Sequence, residues 1–258
     1  MGDLVQQDPT FSAERYQKIC NDLEKQQYAC IDNFLGETWS SNLRAEVIAH
    51  KNKLVQHKFE FNGEILQKPH IYELDLTDDQ AGLDMPLARA LGSEVGQKFS
   101  KLLSETGKWL NVDDSKPPAV KLQRNAGGCF PWHYDNAGSG SRGDKRRVTF
   151  VLYLNPDWTD GDGGEICVMP FGKEVVLFEP KMDRCVIFLS ELVAHRVLPA
   201  KKQSESHKER LAFSMWFDGD GEMDKGESIS FSLKLSDEEL LEKLKWSKVQ
   251  RQLSRSVY

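Results

Sequence analysis

The sequence contains no run approaching about eighteen consecutive apolar residues, and its first residues, MGDLVQQDPT, hold no basic stretch followed by an apolar core. Neither a membrane span nor a secretory leader is therefore expected. Gln6 also breaks the myristoylation pattern. Cysteines are few and scattered: Cys20, Cys30, Cys129, Cys167 and Cys185 form no CxxC or CxxxC pair, and an odd count fits a disulfide framework poorly. They read as reduced thiols, and a cytoplasmic or nuclear location is the expectation. Positive charge is not in excess, because 34 Lys and Arg face 40 Asp and Glu for a net charge of -6. A general attraction to nucleic-acid backbones is excluded, and only a local patch could serve. One short run, Lys145-Arg146-Arg147, stands just before a strand-like segment. It reads either as a solvated strand entry or as a contact to an acidic partner. No internal repeat and no low-complexity tract is present.

What is present is ordinary globular material, 39% hydrophobic and 10% aromatic. A chain of this length can bury roughly three quarters of its unfolded surface in one domain. The expected plan is a single domain over 1–258, with helical support and early strands in 1–116, a β core in 117–219 and a helical extension in 220–258. Ser12 to Gln27 opens on an N-cap and spaces Ala13, Tyr16, Ile19, Cys20 and Leu23 at helical intervals. Tyr28 to Gly36 reads as a short strand and turn. The pattern predicts helices over Glu37 to His57 and Met85 to Trp109, and Ser236 to Glu239 has the form of a capping box ahead of a last helix. After Pro117-Pro118 short β-rich runs alternate with Gly, Pro, Asn and Asp clusters. Eight strands are predicted: 119–124, 129–134, 147–154, 165–169, 174–178, 185–189, 195–198 and 210–217. The fold class is α+β with a mainly β core, a double-stranded β-helix or jelly roll buttressed by the N-terminal helices.

The chemistry gathers on these strands. In Trp132-His133-Tyr134-Asp135-Asn136 the two-residue spacing predicts His133 and Asp135 on one strand face. An imidazole and a carboxylate, joined by a second His, make the two-His-one-carboxylate face that binds Fe(II) and leaves coordination positions open. His-x-Asp alone is weak, so the second His matters. His50 and His57 fall on the expected second helix, His70 before the core and His207 in the polar run KKQSESHKE, whereas His195 begins a β segment within the core. Arg210 leads the apolar strand LAFSMWF, where a forked cation could hold a carboxylate; taken alone, a strand-initial Arg is more often an exposed charge. Asp160 to Gly164 lacks the ligand series of a calcium loop and reads as a hairpin turn.

With WHYDN, VTFVLYLNPDW, GGEI, FEPKMDR, VIFLS, HRVLPA and RLAFSMWFD in view, the sequence from about Tyr28 to Gly219 resembles the prolyl 4-hydroxylase branch of the 2-oxoglutarate oxygenases. Within that branch it is most similar to the hypoxia-inducible-factor prolyl hydroxylases. The resemblance implies that His133, Asp135 and His195 hold Fe(II) and that Arg210 pairs with the C5 carboxylate of 2-oxoglutarate. It further implies that Tyr153 bonds the same carboxylate, that Thr149, Val197, Ala212 and Trp216 line the co-substrate pocket, and that Arg146 helps hold a peptide; read as residues alone, Tyr153 and Trp216 are core aromatics. The implied reaction is 4-hydroxylation of a prolyl residue in a protein or peptide, with O2 as oxidant, succinate and CO2 as products, ascorbate as reductant, and a role in oxygen sensing. The partner is a proline-bearing peptide, neither nucleic acid nor membrane, and the chain is expected to be a monomer. Two alternatives stand beside it: a same-fold oxygenase acting on a free amino acid or other small molecule, and a non-catalytic jelly-roll binding module. LAFSMWFDGDGE lacks the second Arg usual in base-repair relatives, which argues against a nucleic-acid base and leaves a free amino acid open; the binding module would predict a lost ligand, and none is lost. The interval from His195 to Arg210 is longer than in the family because of KKQSESHKE, which brings Lys201, Lys202 and Lys208 into competition with Arg210.

Overall fold

Ser12 caps the first helix as its place ahead of an amphipathic run predicts. Its hydroxyl accepts the Arg15 N–H at 3.3 Å, and α1 (Ala13–Gln26) buries Tyr16, Ile19, Cys20 and Leu23 along one face. In this computed structural model, which describes residues 12–61, 63–77, 81–136, 145–200 and 210–219, α1 stops at Gln27, whose φ of 70° lies in the left-handed region. The Gln27 side chain then clamps the backbone of Phe171 from both sides, at 2.9 and 2.7 Å. β1 (Tyr28–Ile31) and α2 (Glu37–Ala49) follow. The first eleven residues, the polar insertion and the expected last helix lie outside the described residues. Among the described residues no helix is long and apolar enough to cross a membrane.

Two expected helices are cut differently. The second ends at Ala49 rather than running to His57, and Val55 begins β2 (Val55–Phe61), which pairs with β3 (Glu64–Asp75). The reason is legible in hindsight: Val-Gln-His-Lys-Phe-Glu-Phe alternates with period two, and Asn62-Gly63 is a hairpin dipeptide, with Gly63 at φ 81°. His57 therefore stands on a strand, its Nδ1 2.7 Å from Glu73 Oε2. The third expected helix is broken into α3 (Pro86–Ala90), a π turn (Leu91–Gly96) and α4 (Gln97–Thr106). Its glycines allow a close approach to the sheet, since a Cβ on Gly92 would lie 2.8 Å from Val120 and one on Gly96 2.6 Å from Pro118.

The eight core strands appear close to their predicted bounds: β4 (Ala119–Asn125), β5 (Phe130–His133), β6 (Arg146–Tyr153), β7 (Ile166–Pro170), β8 (Val176–Phe178), β9 (Cys185–Leu189), β10 (Val193–Val197) and β11 (Arg210–Asp218). They form two antiparallel sheets, ordered β1-β9-β6-β11-β4-β3-β2 and β5-β10-β7-β8. Alternation along β6 and β11 separates two faces. Phe150 and Phe217 turn to the helices, where Phe150 meets Phe34 at 5.0 Å and Phe99 at 5.5 Å between ring centroids. Thr149, Tyr153, Ala212 and Trp216 take the opposite face, since Thr149 pairs with Trp216 and Tyr153 with Ala212. That face meets the small sheet, as the contact of Phe188 with His195 at 4.6 Å shows.

Candidate metal centre

β5 ends at His133, and Asp135 lies two residues on, in a bend rather than on the strand. The expected shared strand face is thus replaced by a turn. Asn136 fixes that turn, its backbone N–H donating to the Ser190 carbonyl at 3.1 Å and its amide to the Arg146 carbonyl at 3.0 Å. His195 is the third residue of β10, not its first, and stands directly opposite His133 in the pairing with β5. Cross-strand neighbours approach closely, and the two imidazole rings are 4.1 Å apart between centroids. Nε2 of His133 lies 3.7 Å from Asp135 Oδ1, and Nε2 of His195 lies 3.7 Å from Oδ2. One ligand atom from each of the three falls within 4.8 Å of the others.

Protonation suits a cation. Nδ1 of His133 faces the Pro131 carbonyl at 2.8 Å; a carbonyl can only accept, so the proton sits on Nδ1 and the Nε2 lone pair is free. Burial, reinforced by repulsion from His195, lowers the His133 pKa to about 3, and burial lowers that of His195 as well. Burial pushes the Asp135 carboxyl up, but His195, His133, Arg146 and the Thr149 hydrogen bond outweigh it and hold the group well below its ordinary range. Two neutral imidazoles and a carboxylate are the states in which these groups ligate metals.

At the far end of the same sheet face, Arg210 is buried at 6% exposure, so the reading as an exposed charge does not hold. Its Nε donates to the Gly164 carbonyl at 2.7 Å, and a terminal amino group donates to the Tyr153 hydroxyl at 3.3 Å. Among the described residues no carboxylate pairs with it. Tyr153 is fully buried, and burial, partly opposed by Arg210, pushes its pKa up to about 12, so its phenol keeps a proton to donate. Ala212, opposite Tyr153, is buried and small; Val197 shares the face of β10 with His195.

Residues 120–218, which include every one of these groups, match the family model of the 2OG-Fe(II) oxygenase superfamily. A crystal structure described as prolyl 4-hydroxylases from Phytophthora capsici is 31% identical, with a TM-score of 0.65, over 97% of this chain and 79% of that one. The chain belongs to the 2OG-Fe(II) oxygenase superfamily. Among curated proteins, Egl nine homolog 1 of Mus musculus is 38% identical over 208 residues, 77% of this chain and 48% of the relative, so the chain spans about half the length of that protein. A prolyl hydroxylase from Trichoplax adhaerens, solved with a hypoxia inducible factor oxygen degradation domain peptide fragment, shares the fold at 20% identity and a TM-score of 0.58, over 88% of this chain and 98% of that one.

The 2OG-Fe(II) oxygenases take Fe(II), 2-oxoglutarate and O2, and the donor chemistry here fits the first two: two neutral imidazoles and a carboxylate for the metal, and a buried guanidinium with no anionic partner among the described residues for the keto acid's remote carboxylate. Thr149 and Trp216 lie on this face too, but both reach Asp135, the Thr149 hydroxyl donating to Oδ2 at 2.7 Å and the Trp216 indole N–H at 3.0 Å. Arg146 stacks on Trp216, its guanidinium carbon 4.2 Å from the ring centroid, and Arg147 is buried at 3% exposure, so of the basic run Lys145 alone is an exposed strand entry. Sequence reasoning missed Gly164 and Ser190 as parts of the oxygenase site. Gly164, at φ 78°, carries the carbonyl that holds Arg210, and a Cβ there would lie 2.7 Å from Arg210 Cδ. The Gly-Gly ahead of a strand was the available signal. Ser190, fully buried beside Thr149 at 2.8 Å, left none.

Proposed function

We propose that the chain is an Fe(II)- and 2-oxoglutarate-dependent prolyl 4-hydroxylase acting on a proline-bearing peptide segment. In this reading His133, Asp135 and His195 hold iron, Arg210 and Tyr153 hold the C5 carboxylate of 2-oxoglutarate, and Thr149, Val197, Ala212 and Trp216 wall the pocket between. The observation that carries it is the buried Arg210, with no carboxylate partner among the described residues, on the sheet face that also bears the Asp135 contacts. Thr149 and Tyr153 stand four residues apart on β6, roughly 13 Å along the strand. A five-carbon dicarboxylate extended between a metal and a guanidinium suits that separation.

When bound, iron, 2-oxoglutarate and O2 together supply the oxidation of a C–H bond to an alcohol, with succinate and CO2 as products. The chain's own groups do the placing. Arg210 and Tyr153 orient the co-substrate, the apolar walls Val197 and Ala212 exclude water, and Arg146 on the rim at Trp216 is positioned to meet the peptide. The prolyl substrate is supported by the Phytophthora capsici relative's description and by the peptide seen with the Trichoplax adhaerens one. A role in oxygen sensing, a monomeric state and ascorbate as reductant belong to the same reading.

The test is incubation of the purified chain with Fe(II), ascorbate, 2-oxoglutarate and a panel of proline-containing peptides, reading succinate and the addition of one oxygen atom by mass. Hydroxylated peptide is expected, with turnover lost in His133→Ala and Asp135→Ala. Full turnover in those variants would remove the iron assignment. Inert peptides with oxidised free proline would instead establish the small-molecule reading.

A further inference from the structure

We propose that Thr149 and Trp216 brace Asp135 so that it offers a metal one oxygen only, Oδ1, with Ser190 and Arg146 supporting the two arms. This rests on the reading of His133, Asp135 and His195 as a metal site.

The two oxygens of Asp135 are treated unequally. Oδ2 accepts from the Thr149 hydroxyl at 2.7 Å and from the Trp216 indole N–H at 3.0 Å, which fills both of its lone-pair directions. Each oxygen lies 3.7 Å from a histidine Nε2, Oδ1 from His133 and Oδ2 from His195, but Oδ1 accepts no hydrogen bond among the described residues. The Asp135 side chain is only 9% exposed, so the oxygen left without a donor is the one that gains most from a cation. The pattern therefore marks Oδ1 as the oxygen kept for the metal and Oδ2 as the oxygen that holds the side chain in place.

Each arm has a second member. Thr149 gives its only hydroxyl proton to Asp135, so its contact with Ser190 Oγ at 2.8 Å must be one in which Ser190 donates. A one-way relay from Ser190 through Thr149 to Asp135 results, with Ser190 and Thr149 both buried, where such chains reinforce each other. On the other arm, Arg146 lies over the Trp216 ring at 4.2 Å. A cation on that face draws electron density from the indole and strengthens its N–H as a donor. Thr149 and Trp216 are register partners on β6 and β11. The brace thus ties a ligand carried on a bend to the large sheet, while both histidines belong to the small one.

The functional consequence concerns free coordination positions. Two imidazoles and a one-oxygen carboxylate leave three positions of an octahedron open, and a two-oxygen carboxylate would close one of them. Thr149 and Trp216 are accordingly positioning residues that keep the open face open.

The test titrates metal-free protein with Mn(II), followed by the electron paramagnetic resonance of the free ion, and with Co(II), followed by visible absorption. Trp216→Phe and Thr149→Val are expected to weaken Mn(II) binding by ~10–100-fold and to alter the Co(II) spectrum, whereas Thr149→Ser, which keeps the hydroxyl, restores both. Ser190→Ala is expected to produce a smaller loss in the same direction. Wild-type affinity and spectrum in Trp216→Phe and Thr149→Val would overturn the brace, as would a loss in Thr149→Ser equal to that in Thr149→Val. Should Trp216→Phe fail to fold by circular dichroism, the Val and Ser pair at Thr149 decides alone. A wild-type chain that binds neither ion overturns the metal reading beneath, and that result is distinct because it needs no variant.

Discussion

A guanidinium taken out of water must find compensation, and at Arg210 the described residues provide only neutral partners, the Gly164 carbonyl and the Tyr153 hydroxyl. In the proposed function the anion is the co-substrate's. Arg210→Lys keeps the charge but loses the fork, so 2-oxoglutarate affinity is expected to fall by about 10–100-fold, measured by calorimetry on Mn(II)-loaded protein; unchanged affinity would show that the carboxylate goes elsewhere. Lys68 presents a second buried cation, 8% exposed, its ammonium 4.0 Å from the Phe130 centroid and 5.5 Å from that of Phe59. Burial lowers its pKa to about 8, with Glu73 and Cys129 opposing. An unfolded lysine titrates near ~10.4, so between these values the unfolded chain holds more protons and stability rises with pH. Below the window the folded state carries the full cost of the charge. Lys68→Met should therefore stabilise the protein by about 1–3 kcal/mol near pH 7 and by little near pH 10. Denaturant unfolding at both pH values checks this, and a gain that does not change with pH counts against it. Residue identity in the site was readable where a chemical type stood in a β segment, as with His195 and Arg210. The partners of Asp135 were not, because a Trp216 to Asp135 hydrogen bond spans 81 residues and leaves no local pattern.

Elements were legible where periodicity was unopposed. Strands from β4 to β11 fall within about two residues of expectation, since turn residues punctuate them on both sides. The β2–β3 hairpin was hidden because α2 runs toward it through a short 3-10 turn at Lys51–Lys53, so an apolar spacing seemed to continue. What starts α2 was hidden for another reason. Its N-cap, Gly36, has no side chain, and the chain entering the helix is held instead by Asp183 from far along the sequence, with Oδ1 taking the Leu35 N–H at 2.9 Å and Oδ2 the Gly36 N–H at 2.8 Å. Asp183 itself stands at φ 56°, a conformation that Asp and Asn tolerate better than Ala. Asp183→Ala is expected to cost about 2–3 kcal/mol, from two orphaned N–H groups and backbone strain, and Asp183→Asn clearly less. Equal losses in urea titrations of the two variants would show that the helix start does not depend on this acceptor.

At the scale of the molecule, the site is a joint between the sheets. His133 and His195 come from the small sheet, Tyr153 and Arg210 from the large one, and Asp135 from the bend between β5 and β6. A cation and a dicarboxylate bound there would connect elements that no covalent link holds together, and neither ligand has a comparable site on the unfolded chain. Binding must then appear as global stability, about 2.7 kcal/mol for a ligand at a hundred times its dissociation constant. In a chain of this size that corresponds to a rise in Tm of roughly 5–10 °C. Mn(II) is expected to raise Tm, 2-oxoglutarate to raise it further once Mn(II) is present, and a chelator to reverse both. The two variants separate the contributions: Asp135→Ala should lose both increments, while Arg210→Met should keep the Mn(II) increment and lose the second. A 2-oxoglutarate increment that survives in Asp135→Ala, or that needs no metal, would mean that the co-substrate does not bridge the two ends of the sheet face.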